Sequence, residues 1–166
     1  MPHIPTLFQD LPTASRVWVY QSNRPFTDSE AQAIESSIET FVGEWTAHKL
    51  KVAAGATLLY NRFVILAADE REVGVSGCSI DGSVRFIKEL GAKYGVDFFD
   101  RFHVAYKDGN EVRSTNRAGF EELIASGKIN AETVVYNNLV ENLDGLRSQW
   151  EVPFKDSWHS MMFQLV

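Results

Sequence analysis

Hydrophobic positions along the chain fall into two alternating rhythms. Val17-Trp18-Val19-Tyr20 is β-branched and aromatic and ends at Asn23-Arg24-Pro25, which predicts a first strand. Thr27-Asp28-Ser29-Glu30 then forms a capping box, in which the threonine oxygen accepts an amide three residues on while Glu30 reaches back. Behind it Ile34, Ile38, Phe41 and Trp45 recur at intervals of four, three and four, one apolar stripe on a helix over 28–45. Phe26, just before the cap, is placed to staple against Ala31.

Two strand-like stretches follow, 51–60 and 63–69, joined at Asn61-Arg62. The second is apolar from Phe63 to Ala68, as suits a central strand covered by protein. The short break predicts a hairpin, although Asn-Arg is not the favoured Asn-Gly pair. A loop with Gly74 and Gly77 leads to an expected N-cap at Asp81 and a second helix bearing Val84, Ile87, Leu90 and Tyr94, stopped by Gly95. Residues 102–106 return as a strand, and Lys107-Asp108-Gly109-Asn110 turns it into a partner at 111–114.

Up to Tyr106 the order is β-α-β-β-α-β. The expectation is therefore a mixed α+β chain with a largely antiparallel sheet, helices packed on it, and the ferredoxin-like split βαβ core as one arrangement of those elements. The remainder adds a β-α-β-α extension. Its helix over 116–126 points Phe120, Leu123 and Ile124 inward and is capped by Gly127; a strand over 133–140 and a short helix with Leu143, Leu146 and Trp150, stopped by Pro153, complete it. Pro2, Pro5 and Pro12 deny residues 1–14 a helix or central strand, so they read as an extended surface arm, with 15–166 as one globular domain.

Composition narrows the function classes. Of 166 residues 45% are hydrophobic and 23% charged, the balance of an ordinary folded chain. A formal charge of −6 argues against nucleic acid as partner, because phosphate binding requires clustered Lys and Arg. The longest apolar run, Phe63 to Ala68, is far short of the roughly 20 residues of a membrane helix, so no membrane insertion is expected. Nothing at the N-terminus resembles a secretory signal, and the single cysteine, Cys78, suits a reducing compartment. Cytoplasmic is the expected location. A lone cysteine and four scattered histidines, without His-x-x-x-His or His-Glu-x-x-His spacing, predict no metal site, and no cofactor is expected.

Candidate chemistry gathers at Gly74-Val75-Ser76-Gly77-Cys78-Ser79-Ile80-Asp81. A helix start offers unpaired amides and partial positive charge, which can bind an anion or activate a thiol. Catalytic candidates are Cys78, with His48 or His103 as base, and Asp81. Ligand-binding candidates are Ser76, Gly77, Ser79, Arg85, Arg101 and Trp158. Structural roles compete at each: free cysteine is commonly buried, Asp81 is an ordinary cap, and a lone strand histidine is usually a packing residue. The phosphatase-type thiol loop is excluded, since six positions after Cys78 stands Val84, with Arg85 one too far. Trp45 belongs to the helix stripe. Trp158, beside His159 in a polar stretch, could pack with Phe154 or line a cleft or interface.

With the first strand, the 45–48 segment and Gly77-Cys78-Ser79-Ile80-Asp81 together, the chain resembles a family of short, uncharacterised bacterial proteins that often carry the automatic label "ABC transporter ATPase". The likeness runs from Val17 to about His159 and is most specific over 63–70 and 76–81. It implies no established activity. The label itself fails on the residues. Ser126-Gly127-Lys128 echoes the tail of a P-loop, but Ile129 stands where Ser or Thr must hold magnesium, Glu122 replaces the first glycine, and the segment follows a helix. Val75-Ser76-Gly77-Cys78-Ser79 is only a faint echo of the ABC signature. The expectation is a binding domain for a small molecule or protein, without catalysis. A homodimer through a sheet edge or aromatic patch is one form of it, and a thiol- or anion-dependent enzyme centred on 77–81 is the alternative.

Overall fold

The computed structural model describes residues 3–165. A 3-10 turn at Ile4–Thr6 precedes β1 (Arg16–Gln21), α1 (Asp28–Glu44), β2 (Thr46–Ala47), β3 (Leu50–Lys51), β4 (Ala53–Leu59), β5 (Phe63–Asp69) and α2 (Gly77–Tyr94). Then come β6 (Val104–Asp108), β7 (Glu111–Thr115), α3 (Arg117–Ala125), β8 (Val134–Tyr136), α4 (Leu143–Gln149), β9 (Glu151–Pro153), a 3-10 turn at Phe154–Asp156 and α5 (His159–Met162). Strands pair as β1-β5-β4, as β7-β6-β8-β9, and as the small hairpin β2-β3, all antiparallel. The class is mixed α+β, as the order of elements predicts.

β5 is the centre because both its faces are apolar. Val64, Leu66 and Ala68 join the core beneath α1 and α2, with Ile34, Ile38, Ile87 and Trp45. Phe63, Ile65 and Ala67 face a second core built from Leu143, Leu146, Trp150 and Tyr136. A third core lies between the second sheet and α3, where Val104, Tyr106 and Val135 meet Phe120 and Ile124. The capping box forms as predicted. Glu30 also receives both terminal nitrogens of Arg24 at 2.9 Å, and these bonds hold its carboxyl down at about 2.

The first three strands follow the split βαβ order, since β5 runs antiparallel between β1 and β4. The fourth strand of a ferredoxin-like core does not. β6 turns at Gly109 (φ +63) into its hairpin partner β7 and pairs with β8 on its other side. Local hairpin closure and an apolar face for α3 take it into the second sheet. Beside β1 the chain instead sends residues 141–143, where Val17 donates its amide to Glu141 and Leu143 to Ser15.

Other boundaries move for identifiable reasons. The expected strand over 51–60 is broken: Leu50–Lys51 folds back on Thr46–Ala47 around His48 and Lys49, both at positive φ (51° and 67°). Helix α2 starts at Gly77, capped by Ser76 rather than Asp81. The strand expected over 133–140 stops at Tyr136, and Pro153 ends the edge strand β9, the helix before it having finished at Gln149. Residues 3–14 of the expected arm are not extended. Ile4 is buried, Phe8 packs over Gly55, where a Cβ would come within 2.9 Å of its ring, and Arg147 donates to the carbonyls of Leu7 and Phe8. Met1 and Pro2 of that arm lie outside the described residues, as does Val166 at the other end.

Candidate functional site

The 76–81 segment is used largely for construction. Ser76 Oγ caps the Ser79 amide at 3.1 Å. The Ser79 hydroxyl donates to the Thr46 carbonyl at 2.7 Å, so the 2.7 Å contact between the two serines is a donation from Ser76. Trp45 Nε1 donates to the Ser79 carbonyl at 3.0 Å. These bonds fasten α2 to the short β2 strand. Cys78, Asp81 and Arg85 project into solvent from α2, while His48 is exposed on its hairpin and Arg101 on the loop before β6. Gly77 opens α2 with free space where a Cβ would stand. Among the described residues no hydrogen bond or ion pair joins any two of Cys78, His48, Asp81, Arg85 and Arg101.

His103 is placed differently. It precedes β6, and its Nε2 lies 2.7 Å from Ser114 Oγ on β7. Ser114 Oγ also accepts from Arg62 Nη1 at 2.6 Å, and Arg62 Nε donates to the Val112 carbonyl at 3.2 Å. A guanidinium can only donate, so Ser114 Oγ accepts from Arg62 and keeps both its hydrogen and a second lone pair for His103 Nε2. Burial, opposed by Asp100 and aided by the Arg62 charge, lowers the His103 pKa.

Arg62 is the unusual member. The residue is 6% exposed, yet no carboxylate pairs with it among the described residues. Its desolvation pulls its pKa down, the direction expected of a buried cation without a counter-charge. It opens, with Tyr60, Tyr106, Ser114 and Leu123, on a cleft of about 870 Å³ between the hairpin of β6 and β7 and the α3 face. Arg113, on the same rim, is already neutralised by Asp108 and Glu111, each at 3.1 Å. Arg62 keeps Nη2 without a partner among the described residues. A guanidinium fixed through Nε and one Nη presents its remaining edge in a set plane, the geometry that receives a carboxylate or phosphate.

The Ser114–His103 contact has the length of a nucleophile–base pair. It lacks the group that would orient it, for Nδ1 of His103 has no partner among the described residues, and the serine oxygen is occupied by Arg62. The pair fixes the guanidinium. Behind the cleft, Glu151 Oε2 accepts from Tyr60 at 2.8 Å and Tyr136 at 3.1 Å, with Lys107 Nζ at 3.6 Å. Burial, reinforced by Glu151, raises both phenol pKa values, so they remain donors. Trp158 is not part of this cleft's lining. It stacks on His159 at 3.8 Å between ring centroids, and its Nε1 is buried without a partner among the described residues.

Arg62 and Ser114 escape sequence reading because an arginine following a turn is ordinarily solvated. Only the absence of an acidic residue within four positions C-terminal of Arg62 hints that it is not a surface ion-pair partner. Among the described residues no cluster of His, Cys, Asp and Glu could hold a metal ion, and no helix is long and apolar enough to cross a membrane. No family model matches the chain, and neither a curated protein nor a solved structure matches it.

Proposed function

We propose that the protein is a non-catalytic binding domain whose Arg62 cleft receives the carboxylate or phosphate group of a small molecule. One observation carries this reading: a guanidinium 6% exposed, anchored only to a neutral carbonyl and hydroxyl, faces a cleft whose two acids, Glu111 and Glu122, make no ion pair with it among the described residues. Taking an ion from water costs several kcal/mol even after relaxation, and two hydrogen bonds to neutral groups offset only part of that. An anion in the cleft supplies the missing counter-charge. The free thiol of Cys78 fits a reducing interior, and we place the protein in the cytoplasm.

Thermal unfolding in the presence of inorganic phosphate and of short mono- and dicarboxylates tests the cleft. A ligand that binds only the folded state stabilises by RT ln(1 + [L]/Kd), about 2.7 kcal/mol at a hundredfold excess over Kd. At least one anion is expected to stabilise the wild type, Arg62→Lys to retain a reduced response, and Arg62→Met to lose it. Equal responses in wild type and Arg62→Met remove Arg62 from the reading. A second reading, an enzyme using Cys78, has the exposure of that thiol in the first turn of α2 in its favour.

A further inference from the structure

An open sheet edge offers main-chain donors and acceptors to any passing strand, and proteins ordinarily blunt such edges with charge, proline, short length or covering chain. Three of the four outer strands of the two sheets are blunted here. β7 carries Glu111 and Arg113. β9 is three residues long and ends in Pro153. β1 is covered at one end by residues 141–143, and at the other Gln21 Nε2 donates to the His103 carbonyl at 3.1 Å while Asn138 donates to Gln21 at 2.8 Å.

β4 lacks charge, proline and short length, and α1 packs along one of its faces. Ala53-Ala54-Gly55-Ala56-Thr57-Leu58-Leu59 contains no charge and no proline, and its register with β5 runs without a bulge from Ala53 opposite Asp69 to Leu59 opposite Phe63. The direction of its polar groups follows from the ladder. Ser22 donates its amide to the Arg62 carbonyl, so the period of two turns the groups of Val64, Leu66 and Ala68 toward β1 and those of Phe63, Ile65 and Ala67 toward β4. Their partners Leu59, Thr57 and Gly55 therefore point inward, and the amides and carbonyls of Ala54, Ala56 and Leu58 point outward. No group among the described residues meets them. The side chains of these three pack on the core beneath α1, and Ala54 and Ala56 remain half-buried.

We propose that β4 pairs antiparallel with β4 of a second copy about a twofold axis at Ala56, joining the two β1-β5-β4 sheets into one. Ala56 then lies opposite Ala56 of the second copy, and Ala54 opposite Leu58. A second copy is the occupant that fits, because twofold pairing sets one uncharged residue against another along the whole strand. It brings no charge that β4 would have to neutralise, and it is the isologous arrangement by which most dimers form. Each chain carries −6, so the copies repel at long range and salt that screens this repulsion favours pairing.

Sedimentation velocity from about 1 to 300 µM, the range in which modest interfaces dissociate, tests the pairing. The wild type is expected to shift from monomer to dimer, more completely at 150 mM than at 20 mM NaCl, on the roughly 8 Å screening length of physiological salt. Ala56→Pro removes an outward amide while every bond to β5 remains, and dimerisation should weaken roughly tenfold or more. Should that variant fail to fold, Thr57→Lys places like charges beside the axis and is expected to do the same. A wild type that remains monomeric at the top concentration overturns the pairing, as do two folded variants that dimerise like the wild type.

Discussion

A buried ring makes this fold sensitive to mild acid. His159 is 2% exposed, its Nδ1 lies 2.7 Å from Ser157 Oγ, and one face is covered by Trp158. Burial lowers its pKa from 6.5 to about 4. Trp158 favours a cation by about 1 kcal/mol, which is less than the desolvation opposing it. Unfolded chains therefore bind a proton between pH 6.5 and about 4 that the folded chain refuses, and stability falls as pH falls through that window. The contribution is fully present above the unfolded value and exhausted below the folded one. A gap of ~2.5 units at ~1.4 kcal/mol each gives about 3 kcal/mol. Urea unfolding followed by tryptophan fluorescence measures it. His159→Asn keeps a polar group near Ser157 and cannot titrate, so the stability difference between wild type and variant should narrow by about 2–3 kcal/mol from pH 7 to pH 4.5. His103 titrates in both proteins and cancels. Parallel stability profiles for the two would refute the assignment.

The remaining expectations need less argument. In urea unfolding, Arg62→Met should change stability by no more than about 1–2 kcal/mol, because removal of the buried charge offsets the loss of its bonds to Val112 and Ser114; a larger loss would mean that the tie to β7 outweighs the cost of burying the charge. Cys78 is exposed, so a small alkylating reagent should modify it in the native protein without prior unfolding, and Cys78→Ser should leave the anion response of the cleft unchanged. A variant that loses that response would tie the α2 start to the cleft. Gly91→Ala sets a Cβ 2.8 Å from the Val96 carbonyl, a main-chain atom that cannot swing away, and should cost about 1–3 kcal/mol by thermal unfolding; an unchanged transition would show that the α2 end relaxes freely.

Elements with a strong local signature were legible in the sequence. The capping box at Thr27 and the stripe through Ile34 and Ile38 give α1 to within a residue, and Gly95 at φ +64 ends α2 as read. Short-range rules misplaced the elements that tertiary contacts define. β9 is three residues long and exists because β8 offers it a partner. The β2-β3 hairpin turns on His48 and Lys49, which carry no turn signature. Asp81 and Ser76 are both competent caps, and bonds from Ser79 to Thr46 and from Trp45 to Ser79 select the earlier one. Candidate residues were chosen for reactivity, and Cys78, Asp81 and Arg85 on α2 and His48 on the β2-β3 hairpin are set on exposed surface, while Ser79 is buried as a fastening to Thr46. His103 reaches the Arg62 cluster through Ser114, and no periodicity reports that cluster, since it joins the β4-β5 turn to the β6-β7 hairpin.

The turn between β4 and β5 explains why that cluster centres on Arg62. Its tip is Tyr60-Asn61 rather than Asn61-Arg62, and both residues hold left-handed backbone (φ 54° and 51°) at about 1–2 kcal/mol each. The compensation lies in where consecutive residues then point. Tyr60 donates to Glu151 on β9. The Asn61 carbonyl accepts from Phe26 at 2.7 Å, and its side chain donates to Asp28 at 3.2 Å, fixing the entry to α1. Arg62 accepts from Ser22 through its carbonyl and donates to Val112 and Ser114 on β7 through its guanidinium. Three neighbouring residues thus tie the first sheet to β9, to α1 and to β7, and a relaxed turn would misdirect at least one. The direction of the guanidinium is set by backbone held from several sides rather than by a free rotamer. A cation held in this way loses little further freedom when an anion arrives, so the strain in the turn and the unpaired charge in the cleft belong to the same device.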